Sequence, residues 1–438
     1  MARDLDDTVA TDTELDLDQL DQLSGPSIDL TRLYKLWEAN PWSAYAIDLT
    51  QDARDWRENV SQPQRVAARW NYAMFVQGEE AVARTLAPFV TAAPTQEQRI
   101  FLTTQIVDEA RHHVFFDRFM REVLGESGSY EEVIASIQPE LTRGFRRVFG
   151  ELDRLTDQLR RQPRNLALYA QCIALYHIVV EGTLAHPGQH FMLDYLQRFG
   201  VMPGFRTGIA HIARDESRHM AFGIQTLGEL VAASPAIRQA VLRMLNRVLP
   251  WAVAVLAPPN LDFSYIRSFD IEVEDLYAFS LRSLETKLER AGVAPGDVVA
   301  LVKLGAADPP ATQATRALAL LRAGMVGGVA PLLVTEETQT LLFEAVERVA
   351  NMRPAAALPV IQWDFSDAEP WYLAPAAGRI CAQRGRAPSP ALTLRCSARD
   401  WARIATEQLD ARAALLTRRL SFSGDWRLAL RLPALLGA

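Results

Sequence analysis

A chain of 438 residues, 49% hydrophobic and 23% charged, is long enough for two or three domains with developed cores, which excludes disorder for most of its length. The net charge is −7, and an acidic start with eight Asp or Glu in residues 1–22 and no apolar run predicts neither a secretory nor a transit peptide, hence a cytoplasmic protein. Cys172, Cys381 and Cys396 are scattered without Cys-x-x-Cys spacing, which argues against a disulfide framework or a thiolate zinc site.

Residues 1–28 read as an acidic mobile tail. From Ser61 to about Gly292 the pattern is almost wholly helical. Ser61-Gln62-Pro63 has the form of an N-cap followed by a first-turn proline, and Thr95 to Gln98 that of a capping box opening a helix that stops near Gly125. Further helices are expected at about 130–160, 164–197, 204–233, 236–256 and 271–291. The longest charge-free apolar stretch, Asn165 to Val180, is too short for a membrane span and runs into Glu181, so it predicts a buried helix.

Beyond Gly292 the composition turns to Ala, Pro and Gly, and residues 294–334 read as a connector containing short helical pieces. The last unit, 335–438, opens with a helix at about Glu337 to Asn351. Period-two alternation then predicts strands at Ile361, Trp363 and Phe365 and at Leu392, Leu394 and Cys396. Helices around Arg399–Gln408 and Ala411–Thr417, a strand at Leu420–Phe422 and a helix from Trp426 to Leu436 complete an α+β module. From Arg379 onward there are eleven Arg, no Lys and four acidic residues, but the arginines alternate with strand-like apolar residues, so no nucleic-acid partner is expected.

The chemistry is carried by two near-matching phrases, Asp108-Glu109-Ala110-Arg111-His112 and Asp215-Glu216-Ser217-Arg218-His219. Of the seven histidines, only His112 and His219 have a glutamate three residues upstream. That spacing is almost one helical turn, so each pair presents a carboxylate and an imidazole from one face, the arrangement that holds a metal ion. Glu79 lies on the apolar stripe of Tyr72, Phe75, Val76, Val82 and Leu86, whereas Glu80 faces Arg84 on the surface side. Glu181 ends the apolar run that begins at Ala170. Four carboxylates on core faces would each cost several kcal/mol if ionised without a partner, and two divalent ions would supply the missing charge. One Glu from each of two helices plus Glu-x-x-His from each of two others is the ligand inventory of ferritin-like dinuclear carboxylate proteins.

Oxygen-rich ligands with two imidazoles suit iron or manganese and make reaction with dioxygen the leading expectation. Asp108 and Asp215 are placed to orient an imidazole from outside the ligand set, or to pair with a neighbouring Arg. The other histidines read as structural, with His177 or His211 the alternatives for a third imidazole ligand.

The stretch from Lys35-Leu36-Trp37-Glu38 to Trp56, Gly78 to Val82, Glu109 to His112, Tyr176 to Gly182 and Asp215 to Ala221 resemble the R2-like ligand-binding oxidases, relatives of the ribonucleotide reductase small subunit. The resemblance implies a ferritin-like R2-type oxidase domain over 29–293. In it Glu79, Glu109, His112, Glu181, Glu216 and His219 hold a manganese and iron pair, with two irons as the alternative. It further implies a long-chain fatty acid bound beside the metals, a separate electron donor and a homodimer. The family also makes a tyrosine–valine ether crosslink. Tyr176 occupies the tyrosine position, but Ala81 stands where the valine belongs and the nearest valine is Val82. Helical periodicity places Tyr176 about 140° around its helix from Glu181.

Ile361 to Phe365, Pro390 to Leu394, Trp401 to Ile404 and Leu420 to Asp425 resemble the sterol carrier protein 2 type of lipid-binding domain, which implies an apolar tunnel or a contact module. The expected protein is thus multidomain, an all-α ferritin-like four-helix bundle followed by a small α+β domain. Its expected activity is that of a dinuclear-metal oxidase or oxygenase acting on a hydrophobic, lipid-like or natural-product substrate. An N-oxygenase or desaturase on the same site, and a lipid carrier with a structural metal site, are the alternatives.

Overall fold

Local signals start the helices where the sequence places them. In the computed structural model, which describes residues 29–137, 141–298, 308–351, 359–406 and 408–429, Ser61 and Gln64 close the N-terminus of the first long helix. The Ser61 N–H donates to Gln64 Oε1 at 3.0 Å and the Ser61 hydroxyl to the same atom at 2.8 Å. The side chains of residues 79–84, 130, 133, 134 and 137 also fall outside the described set. Thr95 accepts from the Gln98 N–H at 3.2 Å, but the Gln98 amide turns toward Glu229 instead of completing the box.

The helices in order are α1 (Leu30–Ala39), α2 (Thr50–Glu58), α3 (Gln62–Ala92), α4 (Gln96–Glu122), α5 (Tyr130–Ile137), α6 (Arg143–Arg161), α7 (Leu166–Phe199), α8 (Pro203–Ala233), α9 (Pro235–Ala252), α10 (Ser264–Arg267) and α11 (Val273–Arg290). The single helix expected over 130–160 is two, because Thr142 accepts from the Phe145 N–H and caps a new start. Within α7, residues Ala174–Ala185 form a π-helical segment. Although α7 has the length and apolarity of a membrane span, 78% of its most apolar window is buried inside the protein, as befits a core helix.

α3 packs along α4, and α8 packs on both α4 and α7. Two glycines allow that close approach. A Cβ at Gly208 of α8 would lie 2.0 Å from Phe115 Cζ of α4, and one at Gly223 would lie 2.2 Å from His177 Cβ of α7. The described part of the connector from residue 308 onward is docked: α12 (Pro310–Arg322) packs on α11, and Leu318, Leu321, Met325 and Val326 are buried in the bundle's own core.

The C-terminal unit has α13 (Glu336–Asn351), β1 (Ile361–Phe365), β2 (Trp371–Ala376), β3 (Arg379–Arg384), β4 (Leu392–Cys396), α14 (Ala398–Ala405), α15 (Ala411–Leu416) and β5 (Leu420–Gly424). The sheet order is β3-β2-β1-β4-β5, with β1 and β4 parallel and the other pairs antiparallel. A further helix begins at Trp426, and the end expected for it at Leu436 lies outside the described residues. Sequence periodicity missed the β2–β3 hairpin, whose two-residue turn, Ala377 (φ 50°) and Gly378 (φ 78°), has the double positive φ usually written Asn-Gly. The outer edge of β3 is closed by α13. Asn351 bonds the Ile380 N–H and C=O at 2.8 and 2.7 Å, and Glu347 accepts from the Ala382 N–H at 2.8 Å. Between α13 and the sheet, Phe343 stacks on Trp371 at 4.5 Å and Trp363 meets Trp401 at 5.2 Å, so aromatic rings fill this core.

Candidate metal centre

The two Glu-x-x-His phrases meet face to face, Glu109 and His112 from α4 and Glu216 and His219 from α8, with Glu181 arriving from α7. All five are buried. Ligating atoms of Glu109, Glu181, Glu216 and His219 lie within 4.8 Å of one another. His219 Nδ1 stands 3.4 Å from Glu109, 3.6 Å from Glu181 and 3.5 Å from Glu216. His112 Nδ1 stands 3.5 Å from the second oxygens of both Glu109 and Glu216. Glu109 and Glu216 therefore each span the two imidazoles, whereas Glu181 sits on the His219 side. Glu79 lies on α3, and its side chain, like that of Val82, is outside the described residues.

Outside the cluster the partners cross over. His112 Nε2 of α4 bonds Asp215 Oδ2 of α8 at 3.2 Å, and His219 Nε2 of α8 bonds Asp108 Oδ2 of α4 at 3.2 Å. Trp37 Nε1 donates to Asp108 at 2.9 Å and Trp42 Nε1 to Asp215 at 2.8 Å. Arg218 reaches both aspartates, at 3.1 and 2.6 Å. Asp108 and Asp215 each bond an imidazole and Arg218. Sequence spacing does not single out Trp37, Trp42 or Arg218, although the Arg repeated in each phrase is a visible signal.

Tyr176 is where simple periodicity fails. An α-helix would turn it about 140° from Glu181, but a π turn brings residues five apart nearly above one another. The Tyr176 hydroxyl donates to Glu109 Oε1 at 2.8 Å, so it points into the cluster. Gln105, one turn before Glu109 on the same face and also missed, links these groups. Its amide nitrogen donates to Glu181 Oε1 at 2.9 Å, while its carbonyl oxygen is 3.1 Å from His177 Nε2. His177 is thus engaged with Gln105. His211 stacks on Trp42 at 5.1 Å and meets Arg214 at 3.3 Å, so neither histidine supplies a third imidazole to the cluster.

Burial and the neighbouring charge of Glu216 raise the Glu181 carboxyl well above its usual range, and burial with Glu109 raises Glu216. Burial opposes charge on His219, but the bond to Asp108 and the nearby Glu181 and Glu216 carboxylates raise its pKa well above the ordinary imidazole value. Burial also opposes charge on Asp215, yet the His112 bond and Arg218 hold its carboxyl well below the usual range. Burial pushes His177 down to about 3, leaving it neutral.

The donor set fits a metal. His219 Nδ1, Glu181 Oε2 and Glu216 Oε2 are buried without a hydrogen-bond partner, while the opposite His219 nitrogen and the other Glu181 oxygen are bonded away from the centre. Beside them lies a cavity of about 160 Å³. Glu109, Tyr176, Glu181 and Glu216 face it, and the remaining wall is mainly apolar, including Phe75, Val180, Leu184, Phe191, Phe205 and Leu256.

A helical bundle with buried carboxylates and imidazoles converging from facing helices defines a ferritin-like protein able to hold a dinuclear metal centre. The chain belongs to the family of the ribonucleotide reductase small chain, which matches residues 28–248, and residues 343–437 match the SCP-2 sterol transfer family. Among solved structures it is similar to the R2-like ligand-binding oxidase from Sulfolobus acidocaldarius at 22% identity and a TM-score of 0.51, over 60% of this chain and 89% of that one. It is also similar to a variant R2-like ligand-binding oxidase with an anaerobically reconstituted Mn/Fe cofactor, at 23% identity and TM-score 0.51 over 60% of this chain and 93% of that one. Another variant, with an aerobically reconstituted Mn/Fe cofactor, gives 23% and 0.51 over 60% and 94%. At these identities the likeness to the solved structures is one of fold.

Proposed function

We propose that this protein is a dioxygen-dependent oxidase or oxygenase whose two metals are held by Glu79, Glu109, His112, Glu181, Glu216 and His219. The supporting observation is the convergence of partnerless His219 Nδ1, Glu181 Oε2 and Glu216 Oε2 beside an apolar cavity. Glu109 and Glu216, which each reach both imidazoles, would hold the metals together with His112 and His219, and Glu181 and Glu79 would complete the set. A manganese and iron pair, the cofactor of the structural neighbours, is the favoured occupant, with two irons as the alternative. When bound, such metals supply the reduction of dioxygen and the oxidising power for attack on a C–H bond.

The chain's own residues prepare that chemistry. Asp108 and Asp215 hold the imidazoles with Nδ1 inward, Gln105 fixes one oxygen of Glu181, and the Tyr176 hydroxyl donates to Glu109. The apolar wall excludes water and selects a hydrophobic molecule, fatty-acid-like or a natural product, and the C-terminal domain would bind or deliver it. An electron donor is required from outside. A homodimer is supported by exposed Ile100 (42%) and Val107 (45%), which share an outer face of α4 with exposed Ala110.

The test is elemental analysis after anaerobic loading with Mn(II) and Fe(II), together with mass spectrometry of hydrophobic molecules extracted from the purified protein. Two metals per chain and a co-purifying amphiphile are expected. Fewer than one metal per chain would defeat the proposal.

A further inference from the structure

Glu181 and Tyr176 share the π segment of α7, and something must hold that segment in register. In a π turn each N–H reaches the carbonyl five residues back, and the His186 N–H does reach Glu181 O. The next bond of this kind would come to Gly182 O from residue 187, which is a proline and has no N–H. The orphaned carbonyl is met from α11 instead. Ser283 Oγ donates to Gly182 O at 2.5 Å, and Lys287 Nζ donates to Ser283 Oγ at 2.5 Å. His186 Nδ1 stands 3.4 Å from the same hydroxyl, and burial pushes its pKa down to about 3, which leaves the imidazole neutral beside the lysine.

Ser283 and Lys287 are both buried and lie four residues apart, on one face of α11. Gly182 is needed for the approach, because a Cβ there would lie 2.6 Å from Lys287 Cδ and 2.8 Å from Cε. Lys287 is only 4% exposed, so its ammonium is held inside the protein against the Ser283 hydroxyl that meets this carbonyl. Neither residue belongs to the carboxylate–histidine cluster, and both lie beyond residues 28–248.

We propose that Ser283 and Lys287 are positioning residues that clamp Gly182, hold the π register of α7, and so keep Glu181 and Tyr176 turned together into the cluster. What Glu181 does there rests on the metal-centre reading above; the clamp itself does not.

Two measurements on S283A and K287M separate the possibilities. The first is hydrogen–deuterium exchange of the metal-free protein over residues 174–190, and the second is anaerobic Co(II) titration followed by visible absorption. Exchange in that segment should rise about tenfold, and Co(II) affinity at one position should fall roughly 10- to 100-fold with a changed spectrum. P187A restores an N–H opposite Gly182 O, so S283A made in a P187A background should recover most of both effects, which a general loss of folding would not. Wild-type exchange in both single variants overturns the clamp. Raised exchange with wild-type Co(II) affinity and spectrum overturns the positioning role. A wild-type protein that takes up no Co(II) overturns the metal-centre reading, and the exchange data still decide the clamp.

Discussion

His112 on α4 takes its orientation from Asp215 on α8, 3.2 Å away, and not from Asp108 on its own helix. Asp108 instead orients His219 across the bundle. The repeated Asp-Glu-x-Arg-His phrase is therefore a pair of interlocked halves, each aspartate serving the other helix's imidazole. D215N should lower metal affinity at the His112 position, and D108N at the His219 position, each by about 10- to 100-fold. Metal counts after loading at limiting Mn(II) and Fe(II) would show it; equal losses at both positions in each variant would contradict the crossed assignment.

Y176F removes the hydroxyl that donates to Glu109 at 2.8 Å and leaves all six proposed ligand side chains in place. The variant should still load two metals. If the tyrosine–valine crosslink forms with Val82, aerobic loading of the wild type should remove two hydrogens from the joined Tyr176 and Val82 peptides, and Y176F should abolish that change. Intact, unlinked wild-type peptides after loading would rule the crosslink out.

The pH dependence has a definite sign. Glu181 and Glu216 hold their protons to higher pH in the folded metal-free chain than in the unfolded one. Their contribution to stability is therefore present below the ordinary carboxylate range and is lost as pH rises through their raised folded values. Asp215, held low, acts oppositely and loses its contribution only as pH falls below that range. Bound metals replace the two protons, so the gap in Tm between loaded and metal-free protein should widen from acid toward neutral pH. Thermal melts across that range would measure it, and a constant or shrinking gap would count against the assignment.

G208A adds a methyl group where Phe115 Cζ would be 2.0 Å away. The cost should be about 1–3 kcal/mol of stability, with α8 pushed away from α4. Urea unfolding gives the first quantity. Reduced metal retention in the folded variant would report the second.

Much of the cluster was legible in the sequence because its Glu-x-x-His pairs obey α-helical spacing. Glu109 with His112 and Glu216 with His219 needed only one turn of regular helix, and Glu181 announced itself as a charge ending an apolar run. Tyr176 escapes α-helical spacing because the π segment changes the number of residues per turn on which its angle from Glu181 depends. The warning was present in Gly182 and Pro187, but its meaning depended on Ser283, a hundred residues away. Gln105 is a polar residue in an apolar stripe, the same signal that singles out Glu79 in the sequence, yet an amide carries less cost in a core than a carboxylate and so stands out less. In the C-terminal unit β1, β4 and β5 follow alternation, whereas the β2–β3 hairpin turns on Ala377-Gly378 and contains Pro375, which obscured it.

The docking of the connector bears on how the two parts of the chain could cooperate. Leu318, Leu321 and Met325 are buried in the bundle's core, Arg316 pairs with Glu344 of α13 at 3.3 Å, and Gln408 donates to Gly324 O at 2.9 Å. The α+β unit is held against the bundle by these contacts, and is not joined to it through a bare linker alone. A hydrophobic molecule handed from one unit to the other would meet the bundle from one fixed side, like cargo landed at a pier.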